Sequence, residues 1–376
     1  MTTTAAHVQS EPTAGRRSQG LRIGLVVLVA VSVAAVWRTG RRILRDGGDL
    51  HLRGGAVLTG AIDPLLSPRV LLPLAVAAAG VAWGPTVVRR LRWAWLLAGS
   101  AVGAAGWAVA LALTSGWGRL AEPMTSKHEY LADVGRVHGW DLVSRFIDSV
   151  PVGSPGQWAT HVAGHPPGAL LSFVLLDRIG LGGAGWAAAL CIAGGALTVP
   201  AVLVTVRAVA DEAAARTVAP FAVLFPGAVW VATSADAFFA GVAAWGVALL
   251  ALAARRNSLT RALAGGLLLG LSLFLSFGLA AAGLIALAAV AVQARTLGRA
   301  GVVRVLGTAA VGVIAVVAVF TVGGYWWFDG IVVDAQRVRD GAAYEDRVAH
   351  ASYVLWANAA AAAIAVGPAV VAGLAG

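Results

Sequence analysis

The chain has 376 residues, of which 59% are hydrophobic and only 12% charged, against roughly 45–50% apolar and about 25% charged in an average soluble domain. That balance excludes a soluble enzyme, a disordered tail and a secreted disulfide scaffold. It predicts an all-α, polytopic transmembrane helical bundle. The net charge is +10, and Lys127 is the one lysine among 28 basic side chains. In so apolar a chain this excess reads as positive cytoplasmic loops rather than a nucleic-acid surface. Cys191 is the sole cysteine, so disulfides and thiolate metal sites are ruled out.

A spanning helix needs about 20 mostly apolar residues. In chain order the sequence predicts about ten spans, at roughly 21–37, 70–88, 93–114, 184–206, 216–233, 237–254, 262–276, 278–293, 302–323 and 352–374. The first is read as a retained span rather than a cleaved signal, because 20 polar residues precede it and Arg38, Arg41 and Arg42 follow it. Residues 1–90 form an N-terminal tail with extra transmembrane helices. Within them, 38–69 carry six arginines on the side expected to face out, so either the first spans are misplaced or 55–68 dips into the membrane. Residues 91–376 form the main transmembrane domain. The stretch 168–182 is apolar at first but then polar and glycine-rich, and it predicts an interfacial or re-entrant helix.

Arginine placement sets the sidedness. With the N-terminus in the cytoplasm, the connections at Arg89–Arg92, Arg207–Arg216, Arg255–Arg261 and Arg295–Arg304 face in. Two longer loops, about 115–183 and 324–351, face out. This arrangement puts 15 of the 18 acidic residues outside. The span interiors are nearly free of charge, so any chemistry is expected at the outer surface of a multi-pass cell-membrane protein.

Four features stand out. Ser126 to Asp133 reads Ser-Lys-His-Glu-Tyr-Leu-Ala-Asp. Glu129 and Asp133 are spaced i, i+4 and share one face if the segment is helical. Such a pair can supply a general base or bind a divalent cation, with His128 as ligand or proton shuttle, or it can be ordinary surface charge. His161 to Gly168 reads His-Val-Ala-Gly-His-Pro-Pro-Gly, a rigid corner presenting His165 just before an apolar helix. His161 and His165 have a spacing open to a metal, although Gly164 and the prolines argue against a regular helix there. In the span 216–233, Pro226 predicts a kink, and Asp236 follows at an outward turn, as a site residue or as a cap of the next helix. The second outer loop carries Tyr325-Trp326-Trp327-Phe328 and then Arg337, Arg339 and Arg347. The aromatics are interface anchors, and the arginines either clamp a phosphate or contact lipid headgroups.

This order of features resembles the GT-C superfamily of polytopic glycosyltransferases. It is similar in particular to uncharacterised actinobacterial integral membrane proteins with His-Glu-Tyr-Leu and Gly-His-Pro-Pro-Gly motifs in the first large outer loop. The resemblance covers roughly residues 90–376. It implies a sugar transferred from a polyprenyl-phosphate donor to a lipid or glycan acceptor of the cell envelope. By position the base role falls on Glu129 or Asp133. His128, Tyr130, His161, His165, Pro166, Asp236, Arg337 and Arg347 would contribute to donor or substrate binding. The paired Asp-Asp that many members carry at the end of the 93–114 span is missing here, and many relatives continue beyond the point where this chain stops. Two rival readings are a transporter or flippase of lipid-linked envelope precursors and a non-catalytic membrane scaffold. The first predicts polar or charged residues along a mid-bilayer path, or broken helices in matched halves, and the second requires no convergence of the outer acids and histidines.

Overall fold

The computed structural model describes residues 13–50, 67–341 and 344–374. Every regular element among them is helical. Seven helices are long and apolar enough to cross a membrane: Gln19–Arg45, Pro68–Arg90, Trp93–Ser115, Ala184–Val209, Ala235–Arg256, Ala294–Val322 and Ala351–Gly373. The other three expected spans form shorter elements. Leu259–Leu275 has 17 residues, about 26 Å of helix at 1.5 Å per residue. Ala282–Val292 has 11 residues and follows a 3-10 turn at Phe277–Ala281. The 216–233 stretch is interrupted: Glu212–Val223 stops ahead of Pro226, and a separate 3-10 turn covers Pro226–Trp230. Proline cannot donate to the ladder and disfavours helix in the residue before it, which accounts for a break rather than a kink. The membrane-dipping element expected at 55–68 falls largely outside the described residues.

The described chain divides into two units. One contains the N-terminal helix Thr13–Arg45, the segment Phe225–Gly227 and the C-terminal helix Ala351–Gly373. The two helices pack around Leu50, Tyr353 and Ala357, with Val36, Ile43 and Val354 beside them. The other contains Leu65–Leu224 and Ala228–Gly341. Helix 71–90 thus groups with the later spans, a division different from the break expected near residue 90.

The second unit is built on close helix approaches. A Cβ on Gly241 would sit 2.2 Å from the carbonyl oxygen of Gly194, and one on Gly266 would sit 2.0 Å from that of Ala309. These contacts bring 184–209 onto 235–256 and 259–275 onto 294–322. Small residues at such crossings let backbones touch where lipid provides no hydrophobic drive for association.

The helices of this unit turn at two chemically different ends. At one end, Arg255 donates to the carbonyls of Arg207, Ala208 and Ala210 at 3.0–3.3 Å. Arg216 donates to Leu91 at 3.0 Å and to Val88, and Arg207 pairs with Glu212 at 2.8 Å. The arginine-bearing connections 88–93, 207–216 and 255–261 therefore meet. At the other end lie the 113–183 loop, the 231–236 turn and helix Trp327–Asp340. Thr233 donates to the Leu120 carbonyl at 2.6 Å and the Trp327 indole to the Leu273 carbonyl at 2.8 Å. Within the loop, Pro167–Arg178 forms a 12-residue helix, about 18 Å long and too short to span. Its face of Leu170, Phe173 and Val174 is buried with Tyr130, Phe146 and Phe274.

Candidate functional site

The 126–133 segment is not one helix. Asp133 donates its backbone N–H to Tyr130 O at 3.0 Å and Ala132 to Glu129 O at 3.3 Å. Only Leu131–Val134 makes a helical turn. Glu129 precedes that turn, so the i, i+4 register does not put both carboxylates on one face. The two acids diverge accordingly.

Asp133 is buried, with a side chain 5% exposed. One oxygen takes Arg136 at 2.5 Å and the other accepts the Ala159 N–H at 2.7 Å. Arg136 also donates to the carbonyls of Gln157 and Gly156 and lies 4.4 Å from the centre of the Trp158 ring. Trp158 stacks on Phe146 and donates to its carbonyl. Both oxygens of Asp133 thus serve to fold residues 133–159. Of the two acids expected for the base role, Glu129 or Asp133, Asp133 is the one with both oxygens engaged in the loop.

Glu129 faces the histidine corner. The His161 Nδ1 lies 2.8 Å from Glu129 Oε1. Backbone hydrogen bonding fixes the approach, since the His161 N–H donates to His128 O at 2.9 Å. The His128 ring is exposed, and its Nδ1 lies 3.0 Å from the Thr160 hydroxyl, on the rim of the cluster. The hydrogen bond that His161 donates to Glu129 raises the pKa of His161 above its usual value, and burial only partly opposes it.

His165 is presented as its sequence suggests. Pro167 occupies the first position of helix Pro167–Arg178, with Pro166 as its extended N-cap. Proline is favoured at that position because its missing N–H is not needed there. Pro166 is buried and makes the corner rather than offering a polar group. The Nδ1 of His165 lies 2.8 Å from the His161 carbonyl, which can only accept, so Nδ1 carries the proton. Nε2 is then aimed at Asp236 Oδ1, 3.6 Å away. The two histidines are thus linked by a backbone bond, and each faces a different carboxylate.

Asp236 sits in the first turn of helix Ala235–Arg256, but Ser234 is the N-cap, accepting from the Asp236 N–H at 3.2 Å. Asp236 is therefore free of the capping role. Its carboxylate, 74% exposed, points to His165. Beneath these groups Tyr130 is 1% exposed. Its ring stacks on Phe173 at 5.1 Å and meets His165 and Phe239 edge-on. Burial, then the negative charges of Asp236 and Glu129, push its phenol well above the usual range. The Tyr130 phenol is thus held in its neutral form beneath the cluster.

Sequence reasoning missed Asp334. It lies on helix Trp327–Asp340, half-buried, beside the 161–165 corner. A Cβ added to Gly164 would lie 4.0 Å from its Oδ1. Burial raises its pKa, with the charges of His165 and Arg337 acting the other way. The available signal was its i, i+3 spacing to Arg337 on an amphipathic helix. Arg337 donates to the Val150 carbonyl and so braces this helix against the loop while its charge faces Asp334. Arg347 lies in a helix of the other unit, Tyr344–Ala349, and its side chain lies outside the described residues.

The structure therefore brings together Glu129, Tyr130, His161, His165, Asp236 and Asp334 from four segments. It leaves Asp133 in the loop core and His128 at the rim. Among the described residues no group of three His, Cys, Asp or Glu side chains is placed to hold a metal ion. Near the same end of the bundle, a groove of about 590 Å³ runs along the membrane helix Ala294–Val322, between Val319 and Val322 on one side and Trp140, Asp141 and Ser144 on the other. No family model, no curated protein and no solved structure matches this chain.

Proposed function

We propose that this protein is a membrane glycosyltransferase that moves a sugar from a polyprenyl-phosphate donor to a cell-envelope acceptor at the outer face of the cell membrane. The observation that carries this reading is the convergence of two His–carboxylate pairs, Glu129–His161 and His165–Asp236, at the end of an apolar bundle opposite its arginine end. A lipid-linked sugar presents its anomeric carbon at headgroup level, and these groups lie beyond the ends of helices long enough to cross a membrane. With the arginine end in the cytoplasm, the cluster faces out.

The groups match the needs of a single displacement. The acceptor hydroxyl attacks the anomeric carbon and gives its proton to Glu129, held in place by His161. The bond from that carbon to the phosphate oxygen breaks, and the phosphate leaves with the electron pair. His165, with Nδ1 protonated on a backbone carbonyl, can present a second N–H from Nε2 to the departing phosphate once protonated. Tyr130, buried beneath the cluster, meets the His165 ring edge-on and helps fix its position. The groove along helix 294–322 offers an apolar wall for the donor's lipid chain.

The test is incubation of the purified protein in detergent with radiolabelled polyprenyl-phosphate sugars and an envelope lipid extract. Transfer or donor hydrolysis is expected. Failure with every sugar offered, from protein that remains folded, favours a scaffold instead.

A further inference from the structure

The arginine end of the second unit holds a cavity that the proposed reaction does not use. It has a volume of about 390 Å³ and is lined by Trp93, Val204, Leu252, Arg207, Arg255, Arg256 and Arg261. Four helix ends converge on it. The arginines do not all have the same duty. Arg255 is committed to the last carbonyls of helix Ala184–Val209. Arg207 lies 4.3 Å from the centre of the Trp93 ring and is paired with Glu212. Arg256 and Arg261 make no hydrogen bond or ion pair among the described residues, though both line the cavity. Glu212, which pairs with Arg207, is shared with Arg216, and no acid lines the cavity among the described residues.

We propose that this cavity binds the phosphate headgroup of an anionic membrane lipid. The walls are amphipathic in the sense such a ligand requires. Guanidiniums line the cavity together with the buried Val204 and with Leu252, which lie on helices long enough to cross a membrane. Trp93 opens its own spanning helix at the depth where indoles mark the membrane interface. Guanidinium forks match phosphate oxygens in pairs. A basic pocket between transmembrane helices at headgroup level is suited to a lipid phosphate. The inference does not depend on the glycosyltransferase reading.

The test compares wild type with the double variant Arg256→Gln/Arg261→Gln in nanodiscs of phosphatidylcholine doped with phosphatidylglycerol, counting retained lipids by native mass spectrometry. Arg255 is left intact because it caps a helix. Preferential retention of phosphatidylglycerol by wild type is expected, falling about fivefold for each arginine removed, with an unchanged melting temperature in pure phosphatidylcholine. Equal retention of the two lipids by wild type overturns the proposal, as does undiminished preference in the double variant. In a parallel arm, stabilisation by inorganic phosphate but not by phosphatidylglycerol would assign the arginines to a free anion and overturn the lipid source.

Discussion

Glu129 and His161 are 32 positions apart and meet at 2.8 Å, through Oε1 and Nδ1. The contact forms because the 161 backbone N–H is bonded to the 128 carbonyl, so the histidine corner is laid directly against the acidic segment. The pair links the two halves of the long loop and raises the pKa of the imidazole.

This pairing has a pH signature. The folded pKa of His161 is raised, so the stabilisation from its charged form is fully present below the unfolded value of about 6.5. It is lost as the pH rises through the raised folded value. Melting temperatures of wild type in detergent should decline through that window. In Glu129→Gln the decline should be smaller and centred at lower pH, and identical pH profiles for the two proteins would dismiss the pair.

Asp133 should behave as a folding residue. Asp133→Ala leaves the Ala159 N–H unbonded and Arg136 without its partner, at a cost of about 1–3 kcal/mol. A fall in melting temperature together with faster proteolysis between residues 136 and 159 is expected. An unaltered melt would show that the Arg136 bonds to carbonyls suffice.

Asp334 makes the opposite forecast. Burial raises its folded pKa, so ionisation opposes folding as the pH climbs from the ordinary carboxylate value through the folded one. Asp334→Asn should therefore match wild type in acid and be the more stable protein at neutral pH. Lower stability at neutral pH would mean that the carboxylate is instead held by its attraction to His165 and Arg337.

Sidedness is open to labelling. Cys191 is fully buried, so background reaction is low. Ser126→Cys should react with an impermeant maleimide added outside cells, and Ser258→Cys only after permeabilisation. The reverse pattern would place the Glu129 cluster in the cytoplasm.

Much of this architecture was legible in the sequence. Apolar runs of sufficient length marked the seven long helices, and the Pro166-Pro167 corner and the turn at Asp236 were visible as local chemistry. The divergence of Glu129 from Asp133 was not, because a spacing of four implies a shared face only where the helix is regular, and a run of three-residue turns breaks it there. Asp334 was hidden for another reason. Its spacing to Arg337 was local, but the 161–165 corner comes from a loop about 170 residues away, and no local pattern encodes that meeting. The stop before Pro226 was foreseen as a kink, since sequence alone does not say whether a helix will resume beyond a proline.

Glu129 as the base is tested most directly by comparing wild type, Glu129→Gln and Asp133→Asn in the labelled polyprenyl-phosphate sugar assay, normalised to folded protein. Loss of a general base costs typically 10²–10⁴-fold. Glu129→Gln is expected to fall by about that factor with its fold intact, while the folded fraction of Asp133→Asn keeps most of its activity. Full activity in Glu129→Gln, or a loss confined to folded Asp133→Asn, would contradict that role.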